Sequence, residues 1–151
     1  MKSPVLILPT ARESLQALSK AAEAAGLPHA LAELLNLRAS QINGCAVCLD
    51  MHSRALVKLG ETTERINCVA AWREAPYYTD AERAALALTE AVTRIADRPD
   101  PVPDDIWNEA ARHYDETVLA AIVLQIATIN VWNRVNAATR QVTGPWVASL
   151  I

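Results

Sequence analysis

Cys45, Cys48 and His52 stand close together in the stretch SQINGCAVCLDMH, Ser40 to His52, of this 151-residue chain. At about 100° per residue on a helix, the three fall within a sector of about 60°. Leu49, Leu56 and Leu59 share that stripe, while Asp50, Arg54 and Lys58 lie opposite. The spacing therefore predicts two thiols and an imidazole pointing into a pocket between helices. Positions three apart bring sulfurs near enough for a disulfide with modest adjustment. A thiol near its ordinary pKa of about 8.5 reacts slowly at neutral pH. Helix N-terminal amides lower that value, and Gly44 leaves the approach to the first turn open. His52 can accept a thiol proton directly or through water, and the second cysteine can trap an oxidised first one as a disulfide.

Other chemistry fits the same residues less well. Cys45, Cys48 and His52 offer three zinc ligands where a structural site takes four. His29 and His113 stand alone and no second CxxC follows, so neither a metal nor another cofactor is expected. No βαβ pattern surrounds the motif, which argues against a thioredoxin fold. Cys68 has no partner nearby in sequence and reads as a small buried hydrophobe in mid-helix. An odd total of three cysteines suits reactive or buried thiols better than a disulfide framework.

The elements that must position these groups read as helices. Hydrophobic residues make up 52%, glycine is scarce at 4 and phenylalanine is absent. That composition favours helices over a sheet, in one domain spanning residues 1–151. Thr10 and Glu13 form a capping-box pattern opening a helix to about Ala25, where Gly26 and Pro28 stop it. A second helix is predicted from His29 to about Ser40, broken at Asn43-Gly44, and a third from Cys45 to Leu59, ended by Gly60. Thr62 or Thr63 caps a short helix reaching Trp72, and Thr79-Asp80-Ala81-Glu82 opens a fifth to about Ile95. The loop ADRPDPVPDD reads as a connection within the domain. A sixth helix covers Asp104 to Tyr114, and Asp115 caps a long seventh through Arg140. The fold class is all-α with about seven helices.

A formal charge of −3 gives no basic footprint for nucleic acid. The run Val5 to Leu8 is too short for a signal-peptide core, and no segment is read as the ~20 apolar residues that cross a bilayer. A cytoplasmic address without membrane contact follows, where thiols are kept reduced. Asn130, Asn133 and Arg134 lie on an otherwise apolar helix, and buried amides need partners: neighbouring helix ends or, as the preferred reading, a subunit interface. Tyr77, Tyr78 and the tryptophans read as packing residues. The tail GPWVASLI is either docked on a neighbouring subunit or loose.

The segment ELLNLRASQINGCAVCLDMHSRALVKLGE, Glu33 to Glu61, resembles the core of the AhpD-like alkylhydroperoxidase family, part of the carboxymuconolactone decarboxylase superfamily. That motif places a glutamate twelve residues before a CxxC and a histidine four after its second cysteine; Glu33, Cys45, Cys48 and His52 meet each element. ERAALALTEAVT and NVWNRVNAATR extend the likeness over most of the chain. The resemblance implies an all-helical bundle and a thiol peroxidase and disulfide reductase. Cys48 would attack the hydroperoxide, Cys45 would resolve it as a disulfide, and Glu33 and His52 would relay protons with a water. It also implies a dithiol or thioredoxin-like reductant and a homo-oligomer, trimer or hexamer. Helix-dipole activation by itself favours Cys45 as nucleophile; the family assigns the attack to Cys48 and leaves Cys45 as the more exposed thiol that meets the reductant. Glu33, at the edge of an apolar stripe, is expected to be partly buried. Val47 departs from the family, which carries a histidine or tyrosine there. Competing readings are a redox sensor or disulfide-exchange module, a structural helical assembly, and a decarboxylase, which would leave the two cysteines without a role.

Overall fold

The computed structural model describes residues 1–96 and 98–151. In chain order it contains α1 (Pro4–Ile7), α2 (Pro9–Ala24), α3 (His29–Asn43), α4 (Ala46–Lys58), α5 (Thr63–Cys68) and a 3-10 turn at Val69–Ala71. Then follow α6 (Asp80–Thr93), α7 (Asp104–His113), α8 (Glu116–Ala138) and a second 3-10 segment, Pro145–Leu150. The described residues form no strand, so the architecture is all-α.

Helix starts with a side-chain oxygen in place follow the sequence. Thr79 and Glu82 complete a reciprocal capping box on α6, Asp115 accepts from the Val118 amide at 2.9 Å, and Thr62 caps α5. The Thr10–Glu13 box does not form. The one-turn helix α1 leads through Leu8 alone into α2, which begins at Pro9, so Thr10 already lies inside the first turn and its carbonyl accepts from Ser14. Cys68 ends α5 instead of sitting in its middle, and it packs, partly buried, against the main core. The proline-rich stretch between α6 and α7 joins two helices that pack on each other; Asp97, within it, lies outside the described residues.

α3 is the central rod and packs against α4, α6 and α8. Leu34, Leu35, Leu37, Leu56, Leu86, Leu88, Ile122 and Ile126 are fully buried around it. Each such side chain stabilises the fold by roughly 1.5–3 kcal/mol. A buried ionic cluster ties α3 to α6: the Arg38 guanidinium donates twice to Glu90 at 2.8 and 2.6 Å, and Trp72 Nε1 and Arg73 add bonds at 2.9 and 2.8 Å. Arg83 donates to the carbonyls of Trp72, Arg73, Ala75 and Tyr78 and so holds the loop before α6.

Three expectations are corrected here. The asparagines of α8 do not await a subunit interface: Asn43 donates to Asn130 and Asn133 at 3.0 and 2.9 Å, Asn133 to Ser40 Oγ at 3.0 Å, and Asn130 to Thr93 Oγ1 at 3.1 Å. Arg134 donates back to Asn130 within the same helix. The C-terminal segment is docked on its own chain, with Val147 fully buried, Thr143 Oγ1 donating to Asp50 at 2.5 Å and Lys58 Nζ to the Ile151 carbonyl at 3.2 Å. Finally, α8 does have the length and hydropathy of a bilayer span; half of that stretch is buried against other helices of the chain.

Candidate functional site

The thiols lie in a second, smaller apolar cluster, where the end of α3, the start of α4, the second half of α8 and the tail meet. Ala39, Cys45, Val47, Cys48, Ile129 and Val147 form it, flanked by Met51 and Trp132. Gly44 takes the left-handed conformation, φ 66°, that ends α3 and turns the chain directly into α4. Cys45 thereby becomes the N-cap of α4, and its sulfur accepts the Cys48 amide at 3.4 Å. Unpaired amides of a first helical turn favour negative charge at that sulfur.

The two thiols are driven in opposite directions. The hydrogen bond from the Cys48 thiol, opposed by burial and assisted by the Cys48 amide and the Asn136 side chain, brings the Cys45 thiol down to about 6. Cys48 is pushed up because its thiol donates to Cys45, and burial and the neighbouring charge add to this. Both effects favour the charge on Cys45 and the proton on Cys48. Asn136 Nδ2 reaches both sulfurs, at 3.3 Å to Cys48 and 3.8 Å to Cys45.

Glu33 and His52 do meet. His52 Nδ1 lies 2.7 Å from Glu33 Oε2, and His52 Nε2 is buried with no hydrogen-bond partner. A chain of amides fixes the carboxylate: Asn36 Nδ2 donates to Glu33 Oε1 at 3.3 Å, and Gln125 Nε2 donates to Asn36 Oδ1 at 2.9 Å. Glu33 is partly buried, as its stripe position suggested.

A cavity of about 480 Å³ opens onto Glu33, Cys48, His52 and Asn136. Val5, Val47, Met51, Ile129, Trp132 and Trp146 give it apolar walls, and one face of α2 closes it from the outside. Glu33, Cys48 and His52 line this one cavity and Cys45 adjoins Cys48, with two departures from the expected geometry. Cys45 is not an exposed thiol: both cysteines are almost fully buried, at 3% and 2% exposed, and it is Cys48 that lines the cavity. Leu59 is 43% exposed, because α4 ends before the stripe reaches it. Asn136 and Trp132 join the site although their spacing to the motif gives no direct sign of it. The run of asparagines three apart on an apolar helix was the available signal, and it pointed inward. Among the described residues, no group of three or more His, Cys, Asp and Glu is arranged to hold a metal. Chemically the arrangement offers a thiolate–thiol pair, an imidazole with one free nitrogen, a carboxylate to orient it and an amide donor at the sulfurs.

The profile of the Carboxymuconolactone decarboxylase family matches residues 9–91. The uncharacterized protein YdfG of Bacillus subtilis (strain 168) is 45% identical over 106 residues, 70% of this chain and 71% of its own. The uncharacterized protein YnjA of Escherichia coli (strain K12) is 30% identical over 105 residues, 70% of this chain and 56% of its own. Among solved structures, ATU0492 of Agrobacterium tumefaciens, a protein of unknown function suggested to be the antioxidant defence protein AhpD, superposes with a TM-score of 0.86 at 36% identity, covering 93% of this chain and 94% of its own. The debrominase Bmp8, as a cysteine-to-alanine variant in complex with 2,3,4-tribromopyrrole, shares the fold at a TM-score of 0.76 and 22% identity, over 93% of this chain and 74% of its own.

Proposed function

The chain belongs to the carboxymuconolactone decarboxylase family, and from that premise we propose that it is an AhpD-like thiol peroxidase that reduces hydroperoxides through Cys45 and Cys48. One observation carries the reading: Cys48 faces a cavity in which His52 Nε2 is buried and unpartnered, with Glu33 behind the ring.

In the reaction the Cys48 proton passes to the Cys45 thiolate along their shared hydrogen bond. The Cys48 thiolate attacks the terminal oxygen of the hydroperoxide and the O–O bond breaks, leaving a sulfenic acid on Cys48. The departing alkoxide takes a proton delivered through His52 Nε2, oriented by Glu33, and leaves as the alcohol. Asn136 donates to the sulfur that carries the charge. The Cys45 sulfur then attacks Cys48, the S–O bond breaks, and the hydroxide leaves as water with the Cys45 proton. Two electrons have passed from the sulfurs to the peroxide. A dithiol or thioredoxin-like protein restores both thiols with two electrons and two protons. That chemistry suits a reducing, cytoplasmic compartment.

The test is steady-state hydroperoxide consumption with a dithiol donor. Cys48→Ser is expected to abolish turnover and Glu33→Gln to lower kcat about a hundredfold. Undiminished consumption by Cys48→Ser would remove the mechanism. A second reading, a redox sensor or disulfide-exchange module, is favoured by the near-complete burial of both thiols. It predicts a reversible Cys45–Cys48 disulfide without sustained peroxide consumption.

A further inference from the structure

The cavity is longer than the chemistry at its floor requires. It runs beside α2 from Arg12 to Glu23, which at 1.5 Å per residue is about 16 Å of helix. Hydrogen peroxide would occupy a small part of such a space. Val5, Met51, Ile129 and Trp132 give it an apolar lining, suited to a hydrocarbon chain.

The α2 wall carries a different chemistry. Arg12 and Lys20 stand two turns apart on the same face of α2 and both line the cavity. Among the described residues, neither takes part in an ion pair. Glu23 is the acidic group on that face, so the α2 wall carries one net positive charge. Ser3, 5% exposed, also lines the cavity, and its hydroxyl is buried without a partner. A buried hydroxyl without a partner is destabilising, so a polar group on a bound ligand would relieve it.

We propose that the site takes an elongated anionic amphiphile: a hydroperoxide borne on an alkyl chain that ends in a carboxylate. The carboxylate lies against Arg12 and Lys20, the chain follows the apolar wall, and the hydroperoxide reaches Cys48 and His52. An arginine fork is matched to a carboxylate in a way that it is not to a neutral ester or alcohol. The peroxide part of this statement rests on the proposed function; the shape and charge of the ligand do not.

Two measurements separate them. Trp132 and Trp146 line the cavity, so binding of decanoate and of decan-1-ol can be followed by tryptophan fluorescence, without any turnover. Decanoate is expected to bind about tenfold more tightly than decan-1-ol, a difference of one charge-assisted contact. The Arg12→Gln, Lys20→Gln double variant is expected to lose that preference. In turnover, a fatty-acid hydroperoxide should exceed its methyl ester in kcat/KM by a similar factor, with cumene hydroperoxide consumed equally by wild type and double variant. Equal affinity for decanoate and decan-1-ol, or an undiminished preference in the double variant, would overturn the proposal while leaving peroxidase activity standing. Absence of any peroxide turnover would remove the peroxidase reading, and the binding comparison would still decide the ligand class.

Discussion

At the residue scale, the division of labour between the cysteines follows from helix geometry. Cys45 occupies the N-cap, where the Cys48 amide and thiol both donate to it; Cys48, one turn in, is the thiol that meets the cavity. The Cys45 value lies below that of an ordinary thiol, so its thiolate is present above about pH 6 and is lost as pH falls through that value. Thiolate absorbance in the ultraviolet should therefore decline with a midpoint near 6. Asn136→Ala should move that midpoint up by about 1 pH unit, the size of one hydrogen bond to a charged group. An unmoved midpoint in a folded variant would deny Asn136 its role. The motif itself was legible because Cys45, Cys48 and His52 fall on one helix, and spacing fixes their relation. Asn136 was not, because it meets Cys48 across 88 residues of chain.

At the element scale, the site depends on α3 holding its partners in register. Glu33 reaches His52 from this helix, and Arg38, one turn further on, is clamped to Glu90 of α6. Burial works against the Glu90 charge, but bonds from Trp72, Arg73 and Arg38 overcome it and bring the carboxyl down to about 2. Glu90→Ala would leave the Arg38 guanidinium buried without its counter-charge, and we expect a loss of about 3 kcal/mol in denaturant unfolding. A loss within experimental error would mean that the cluster is dispensable. The stabilisation that Glu90 gives should be present above its ordinary range and fade as pH falls toward 2. Helix boundaries were readable where a side chain caps them, as at Thr79 and Asp115. The Thr10 pattern misled because one-turn α1 shifts the start of α2 to Pro9, something no local cap signal records.

At the scale of the whole molecule, the thiols are sealed by parts of the chain far from them in sequence. The tail places Val147 in their cluster, and α8 brings Ile129 and Asn136. The apolar content of the tail and of α8 suggested subunit contacts, yet much of it is spent inside the chain. Pattern alone could not divide inner from outer faces, since α8 is apolar nearly all round. Leu6, Ile7 and Leu8 remain exposed, and we propose that assembly into a trimer or hexamer covers them. A native mass of one chain, 16.4 kDa, would contradict that assembly.

The central claim is that Cys45 and Cys48 together give two electrons to a peroxide. It is tested most directly by intact-mass analysis of the reduced protein before and after one equivalent of hydroperoxide, with the bridged residues mapped by peptide digestion. The proposed mechanism requires the loss of two hydrogens, a single disulfide joining Cys45 to Cys48, and an unmodified Cys68. An unchanged mass, or oxygen added to Cys68 with Cys45 and Cys48 still reduced, would contradict it.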